Sequence, residues 1–118
     1  MSQREKLNFS ELETLISGQI AITERAAEHA EDSQVSTELR SLTAQTALNG
    51  LQRFAKGQQP PLYVEEVLQG LSPQTTQGLG ELLGTLNPEE LRWNHSVRTQ
   101  ANRVIEFVAK APGQQEVQ

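Results

Sequence analysis

The chain has 118 residues, a formal net charge of -5, an apolar fraction of 36% and no cysteine. This length suits one domain, 1–118, with one modest core. The acidic balance excludes a basic field that would collect nucleic acid or an anionic membrane, and the lack of cysteine excludes disulfides and thiolate metal sites. No apolar run approaches the roughly 20 residues of a membrane span, and the polar N-terminus lacks a signal-peptide core. We therefore expect a cytoplasmic protein.

The N-terminal half predicts a long helical hairpin. Asn8 and Glu11 have the spacing of a capping box, which would start a first helix over about 8–31. Apolar and small residues then recur at steps of three and four, at Leu12, Leu15, Ile16, Gln19, Ile22, Ala26 and Ala30, with Ile20 and Ala27 widening the stripe. A stripe of this width buries against two neighbours rather than one, as in a bundle.

A second helix is predicted over 34–56, after a short break at Asp32 and Ser33. Its apolar side is expected to contain Val35, Leu39, Leu42, Ala47, Leu51 and Phe54. Thr43, Thr46 and Asn49 interrupt that side, but the helical period is sustained and strand alternation is absent. Gly57 and the prolines that follow it predict a firm end.

The C-terminal half predicts two short helices, over 62–69 and 73–85, and a long one over 88–110. Ser72 followed by proline, and Asn87 followed by proline, each resemble a helix start. The segment 70–86 is rich in glycine, so it is either a packed short helix or a mobile segment, and we favour the packed helix. The predicted fold is all-α: an up-down helical bundle of three to four main helices, with a long N-terminal hairpin, a short glycine-rich helix and a long C-terminal helix.

The densest polar cluster contains Glu24, Glu28 and His29, whose spacing could present oxygens and an imidazole to a cation. The alternative, which we favour, is a solvated helix end. The chain's other histidine, His95, lies on a separate predicted helix. Nucleophile elbows, phosphate loops, dinucleotide fingerprints and His-Glu-x-x-His motifs do not occur in the sequence. We therefore expect neither catalysis nor a bound cofactor.

Aromatic and leucine residues provide candidates for partner contacts. Trp93 could anchor a partner, although we favour its packing at the end of the bundle with Tyr63 as its aromatic neighbour. The apolar side of the glycine-rich helix supplies further candidates, Leu79, Leu82 and Leu83.

The hairpin resembles the ferritin-like helical pair of the small spore-coat F-like proteins of spore-forming bacteria. The similar residues are Leu12, Leu15-Ile16-Ser17, Ala21-Ile22, Ala26-Ala27-Glu28-His29-Ala30, Asp32, Glu38-Leu39-Arg40, Leu42, Leu48 and Leu51. Ferritin-like metal proteins hold two irons with Glu-x-x-His motifs on paired helices, and that motif occurs nowhere in this chain. The resemblance implies a bundle scaffold, such as a coat-like or assembly component associated with spores, without the di-iron site.

Three functions are therefore open. The first is a non-catalytic bundle that acts in assembly, as a homodimer, because the chain is short for covering every apolar face alone. The second is an adaptor, similar to a secretion chaperone, whose segment 70–86 opens to accept a partner helix. The third is a metal-binding bundle that uses Glu24, Glu28 and His29.

Overall fold

A computed structural model describes residues 8–87, 89 and 91–110 of the chain. These residues form five α-helices and no strand. The helices are α1 (Phe9–His29), α2 (Ser33–Gly57), α3 (Val64–Gly70), α4 (Pro73–Gly84) and α5 (His95–Ala109). The prediction of an all-α fold is confirmed, and the hairpin helices are the two longest.

Side-chain caps define both helices of the hairpin. The Asn8 Oδ1 accepts a hydrogen bond from the Glu11 N–H at 2.8 Å, and the Asn8 N–H donates to the Glu11 Oε1 at 3.1 Å. The predicted capping box is thus confirmed, and it satisfies two N–H groups that have no partner within the helix. The Asp32 carboxylate accepts from the Gln34 N–H at 2.9 Å and starts α2 after the predicted break.

Three contacts bring α1 and α2 together. The hydroxyls of Thr23 and Thr43 hydrogen-bond to each other in the buried contact between the helices. Beside them, the Arg40 guanidinium donates to both carboxylate oxygens of Glu24, at 3.2 and 3.1 Å. Nearer the turn, the Ser36 Oγ donates to a backbone oxygen of α1 at 3.1 Å.

The helices α3, α4 and α5 pack on one side of this hairpin, which we call the inner face. They contact α2, and α4 also contacts α1. The core between them contains mainly leucine, valine and alanine, with Leu12, Ile16, Leu48, Leu51, Leu68, Leu79, Leu82, Leu83, Val67 and Val104 fully buried. At the open end of the hairpin, the Phe9 and Phe54 rings meet edge to face with centroids 4.9 Å apart.

The glycine-rich segment forms the packed helix that we favoured. Ser72 caps α4 by accepting from the Thr75 N–H at 3.2 Å, and Pro73 occupies its first turn. A Cβ added at Gly80 would lie only 2.9 to 3.2 Å from the side-chain carbons of Val108. Glycine at this position therefore lets α4 approach α5 closely.

The last helix begins at His95 rather than at 88. The Asn94 Oδ1 accepts from the Val97 N–H at 2.8 Å and provides the cap. Asn87 instead caps a turn, because its Oδ1 accepts from the Glu89 N–H at 3.1 Å and its backbone oxygen from the Leu91 N–H at 3.2 Å. Pro88 and Glu90, which the sequence places in the first turn of the predicted helix, lie outside the described residues. Residues 92–94 belong to no helix, and Trp93 within this stretch is buried.

The predicted apolar stripes of α1 and α2 are confirmed for about half of their members, since Leu12, Ile16, Ala27, Ala47, Leu51 and Phe54 are buried. They are wrong for four large side chains. Leu15 and Ile22 are 43% and 71% exposed, and Val35 and Leu42 are 44% and 63% exposed. The buried line of α1 is Leu12, Ile16, Thr23 and Ala27, and that of α2 is Thr43, Ala44, Ala47, Leu48, Leu51, Phe54 and Ala55. Threonine can lie inside here because the two buried hydroxyls satisfy each other.

Candidate protein-contact surface

The residues considered for a metal site are engaged elsewhere or exposed. The Glu24 carboxylate is occupied by its two hydrogen bonds from Arg40. Glu28 and His29 are exposed near the end of α1. Within residues 8–87, 89 and 91–110, no group of three or more histidine, aspartate or glutamate side chains is placed to hold a metal ion.

The remaining polar contacts of charged side chains join one helix to another. The Arg103 guanidinium of α5 donates to both oxygens of Glu65 on α3, at 2.9 and 2.6 Å. This hydrogen bonding lowers the pKa of the Glu65 carboxyl. Because the pair ties two short elements into the inner layer, its role is structural.

Glu13 performs a similar task between α1 and α4. Its carboxylate accepts from the Ser72 N–H at 3.2 Å and from the Thr75 hydroxyl at 3.1 Å. Hydrogen bonding from Ser72, supplemented by Thr75, lowers the pKa of the Glu13 carboxyl against the opposing effect of burial. The negative charge therefore lies beside the N-terminus of α4, which favours it electrostatically.

Four of the five predicted contact residues lie inside the protein. Leu79, Leu82 and Leu83 are at most 2% exposed in the core. Trp93 is 6% exposed, and its Nε1–H donates to the Ser41 Oγ at 2.8 Å. In the described structure these side chains are covered and present no surface to a partner.

Tyr63 is the exception among those residues. It is 71% exposed, so it is not the aromatic neighbour of Trp93 that the sequence suggested. Its backbone N–H donates to the Glu66 Oε1 at 2.8 Å, at the start of α3.

The exposed apolar residues of the hairpin form a different candidate surface. We call the outer face the set Leu15, Ile22, Ala26, Val35, Leu39 and Leu42. Leu39 is half-buried and the other members are exposed. Exposed apolar surface of more than a few hundred Å² on a protein commonly marks an interaction site.

The contact line between α1 and α2 determines where Ile22 points. Thr23 and Thr43 meet on that line, and Glu24 pairs with Arg40 on one side of it. Each residue turns an α-helix by about 100°. Ile22 is on the other flank of Thr23 from Glu24, so it lies on the side opposite the ion pair.

The side of α2 on which Leu42 lies follows from its position relative to Thr43. Ala44 follows Thr43 and is fully buried beneath α3–α5, and Arg40 is turned by about 60° in the same direction. Leu42 precedes Thr43 and is turned the other way. Ile22 and Leu42 therefore both lie off the inner face, with Leu42 at its edge, where Leu91 lines the same groove.

Two shallow grooves accompany the outer face. One lies along α1 and is lined by Ala21, Ile22, Arg25, Ala26 and His29. The other is lined by Thr37, Glu38, Ser41, Leu42 and Leu91. Each groove combines apolar carbon with charged side chains at its edge, which is the composition of a protein-contact rim.

The sequence predicted that the chain would not cover all of its apolar faces, but it did not show which residues stay uncovered. Periodicity showed that both flanks of each helix carry apolar residues, but not which flank the other helices cover. The available signal was the width of the stripe itself, which exceeded what one covered face needs.

No protein-family model, curated protein or solved structure matches this chain. The resemblance to spore-coat F-like proteins therefore stays a prediction. Among the described residues, no helix is both long and apolar enough to cross a membrane.

Proposed function

We propose that this protein acts by protein–protein contact, as a non-catalytic assembly component whose contact surface is the outer face of the α1–α2 hairpin. The proposal treats the chain as an up-down helical bundle with one layer left to be covered by a partner. An assembly role is also what the resemblance of the hairpin to spore-coat F-like proteins implies.

The open outer face carries this proposal. Ile22 and Leu42 expose 71% and 63% of their surface to water although they lie on the two longest helices. Fully burying one such side chain is worth about 1.5–3 kcal/mol. A partner that covers both, with their neighbours, gains a substantial part of its binding free energy from these residues alone.

The charged residues of the described structure support contact rather than chemistry. Glu24, Glu65 and Glu13 each hold a position between two helices through hydrogen bonds. These bonds give the three carboxylates a role in joining helices. On the hairpin, the exposed large side chains Leu15, Ile22, Val35 and Leu42 are apolar.

The test is photo-crosslinking in the cells that make the protein. A photoactivatable amino acid replaces Ala26 on the outer face, in the wild-type chain and in Ile22→Lys/Leu42→Lys. We expect a crosslinked adduct of higher mass from the wild-type chain and its loss in the double variant, because buried lysine would have to be desolvated at the contact.

The matched control is Thr14→Lys/Gln74→Lys, which adds the same charge at two exposed positions outside the outer face. It should retain the adduct. Absence of any adduct from the wild-type chain, or equal adduct from both double variants, would contradict the proposal.

A further inference from the structure

We infer that the outer face is covered by a second copy of this chain, with α1 of each copy lying antiparallel over α2 of the other. This inference rests on the proposed function, because it identifies the partner of the same surface. The two hairpins would together make a four-helix arrangement in which each helix has antiparallel neighbours. Charge and apolar register both favour this partner.

Opposite charges lie at the turn end of the outer face. Arg25 is one residue past Glu24, and Glu38 is two residues before Arg40, so both lie within about one helical turn of that ion pair. Neither Arg25 nor Glu38 forms an ion pair among the described residues. Each therefore stands at the rim with its charge available to a partner.

The order of charges is reversed at the open end. Phe9 and Phe54 touch there, which puts the nearby Glu11 and Arg53 at a common height. The α1 rim thus carries Glu11 toward the open end and Arg25 toward the turn, with exposed Glu28 one turn beyond Arg25, and the α2 rim carries Arg53 toward the open end and Glu38 toward the turn. This is the pattern that makes a surface complementary to itself.

A two-fold axis parallel to the helices brings these charges together. It places α1 over the partner's α2 at the same height, so Arg25 meets the partner's Glu38 and Glu11 meets the partner's Arg53. Since the contact is isologous, each pair occurs twice in the dimer.

The apolar residues follow the same register. Glu24 and Arg40 pair across the hairpin, and two residues back on α1 and two residues on along α2 lie Ile22 and Leu42 at a similar height, so Ile22 lies close to the partner's Leu42. Two turns away, Leu15 lies over the partner's Gly50, where an added Cβ would have no atom within 4 Å. A large side chain thus faces a position with open space.

An axis across the helices fits less well. It could also oppose unlike charges, placing Glu11 against the partner's Arg25 and Glu38 against the partner's Arg53. With the charges matched in that way, Leu42 would face the partner's Asn49 rather than an apolar residue. The parallel axis opposes the unlike charges and also places Ile22 beside the partner's Leu42, so we favour it.

The size of the face suits a reversible dimer. Two helices side by side, each about 10 Å across, over a length of about 30 Å give on the order of 600 Å² per copy. Stable interfaces bury roughly 800 Å² per partner, and weaker ones less. We therefore expect a dissociation constant on the order of 1 µM.

Sedimentation equilibrium of the full chain tests the inference, from about 1 µM to about 1 mM at low salt. We expect a monomer–dimer equilibrium that weakens as salt is added. Arg25→Glu and Glu38→Arg should each raise the dissociation constant about tenfold, because each replaces two attractions with two repulsions. The double variant Arg25→Glu/Glu38→Arg should return close to the wild-type value, since it restores both pairs in reverse.

The outcomes separate the inference from the proposed function. A wild-type chain that stays monomeric at about 1 mM would overturn the second copy as the partner. The crosslinking test of the outer face does not depend on that result. A dimer whose double variant is no tighter than the single variants would overturn the parallel arrangement. Thermal unfolding of each variant, with circular dichroism, separates lost association from lost folding.

Discussion

Leu48 and Leu42 lie less than two turns apart on α2, and only one of them is covered. Leu48 is 1% exposed on the inner face, whereas Leu42 is 63% exposed on the outer face. Both are leucines in a well-capped helix, so composition does not separate them. What separates them is the layer formed by α3–α5, which covers one side of the hairpin and leaves the other open.

The difference indicates that the two faces serve different purposes. Residues on the inner face hold the monomer together, so their loss should reduce its free energy of unfolding. Residues on the outer face contribute little to the monomer, so their loss should instead reduce association. The distinction between the faces would be wrong if inner-face variants lost association while outer-face variants lost stability.

The largest effect is expected from truncating the two leucines. Leu48→Ala should lower the free energy of unfolding by about 3 kcal/mol, because it leaves a cavity in the core. Leu42→Ala should change it by less than about 0.5 kcal/mol, because its side chain is already in water. Urea unfolding of both variants, at concentrations that keep the chain monomeric, provides the measurement. Similar losses in the two variants would show that the outer face supports the fold.

Substitution of two glycines by alanine should have intermediate effects on stability, with opposite signs at a packed and an open position. Gly80→Ala should cost about 1–2 kcal/mol of stability, since the new Cβ meets all three outer carbons of Val108 and rotation of that side chain cannot relieve the contact. Gly18→Ala should gain up to about 1 kcal/mol, because its Cβ meets nothing within 4 Å and alanine favours the helix. Thermal unfolding of both variants tests the pair, and a gain at Gly80 would argue against close packing of α4 on α5.

The smallest effect concerns the pH dependence of stability. The pKa of Glu65 is lowered by Arg103, so the stability from this pair is present above the ordinary glutamate pKa and is lost as pH falls through the lowered value. Glu65→Gln should cost less than about 1 kcal/mol at pH 7 and should make unfolding less sensitive to acid. Glu38→Gln removes a rim carboxylate with no ion pair in the described residues and serves as the control. An unchanged acid response in Glu65→Gln would contradict a stabilising pair.

Much of the fold could be predicted from local signals. The Asn8 capping box and the Ser72–Pro73 start are short-range patterns that lie where the sequence placed them, and the predicted break at Asp32 and Ser33 differs from the observed one only in that Ser33 already belongs to α2. Such patterns depend on backbone groups within one turn, so no knowledge of the packing is needed to recognise them.

The features of the fold that the sequence did not predict depend on contacts between residues far apart in the chain. Asn87 and Asn94 are both good caps by sequence, and only the packing of Trp93 on Ser41 distinguishes the turn from the helix start. Thr43 looked like an interruption of an apolar side, yet its hydrogen bond with Thr23 allows both to be buried. The outer face was hidden for a related reason, since periodicity cannot tell a covered flank from an open one.

The most direct measurement compares Ile22→Lys/Leu42→Lys with the wild-type chain in two experiments on the same samples. Thermal unfolding of dilute protein should give midpoints within about 2 °C of each other, because neither side chain supports the monomer. Sedimentation at high concentration should show dimers for the wild-type chain and monomers for the variant. A variant that unfolds far below the wild type, or that associates equally well, would contradict the claim that the outer face is a contact surface and not part of the core.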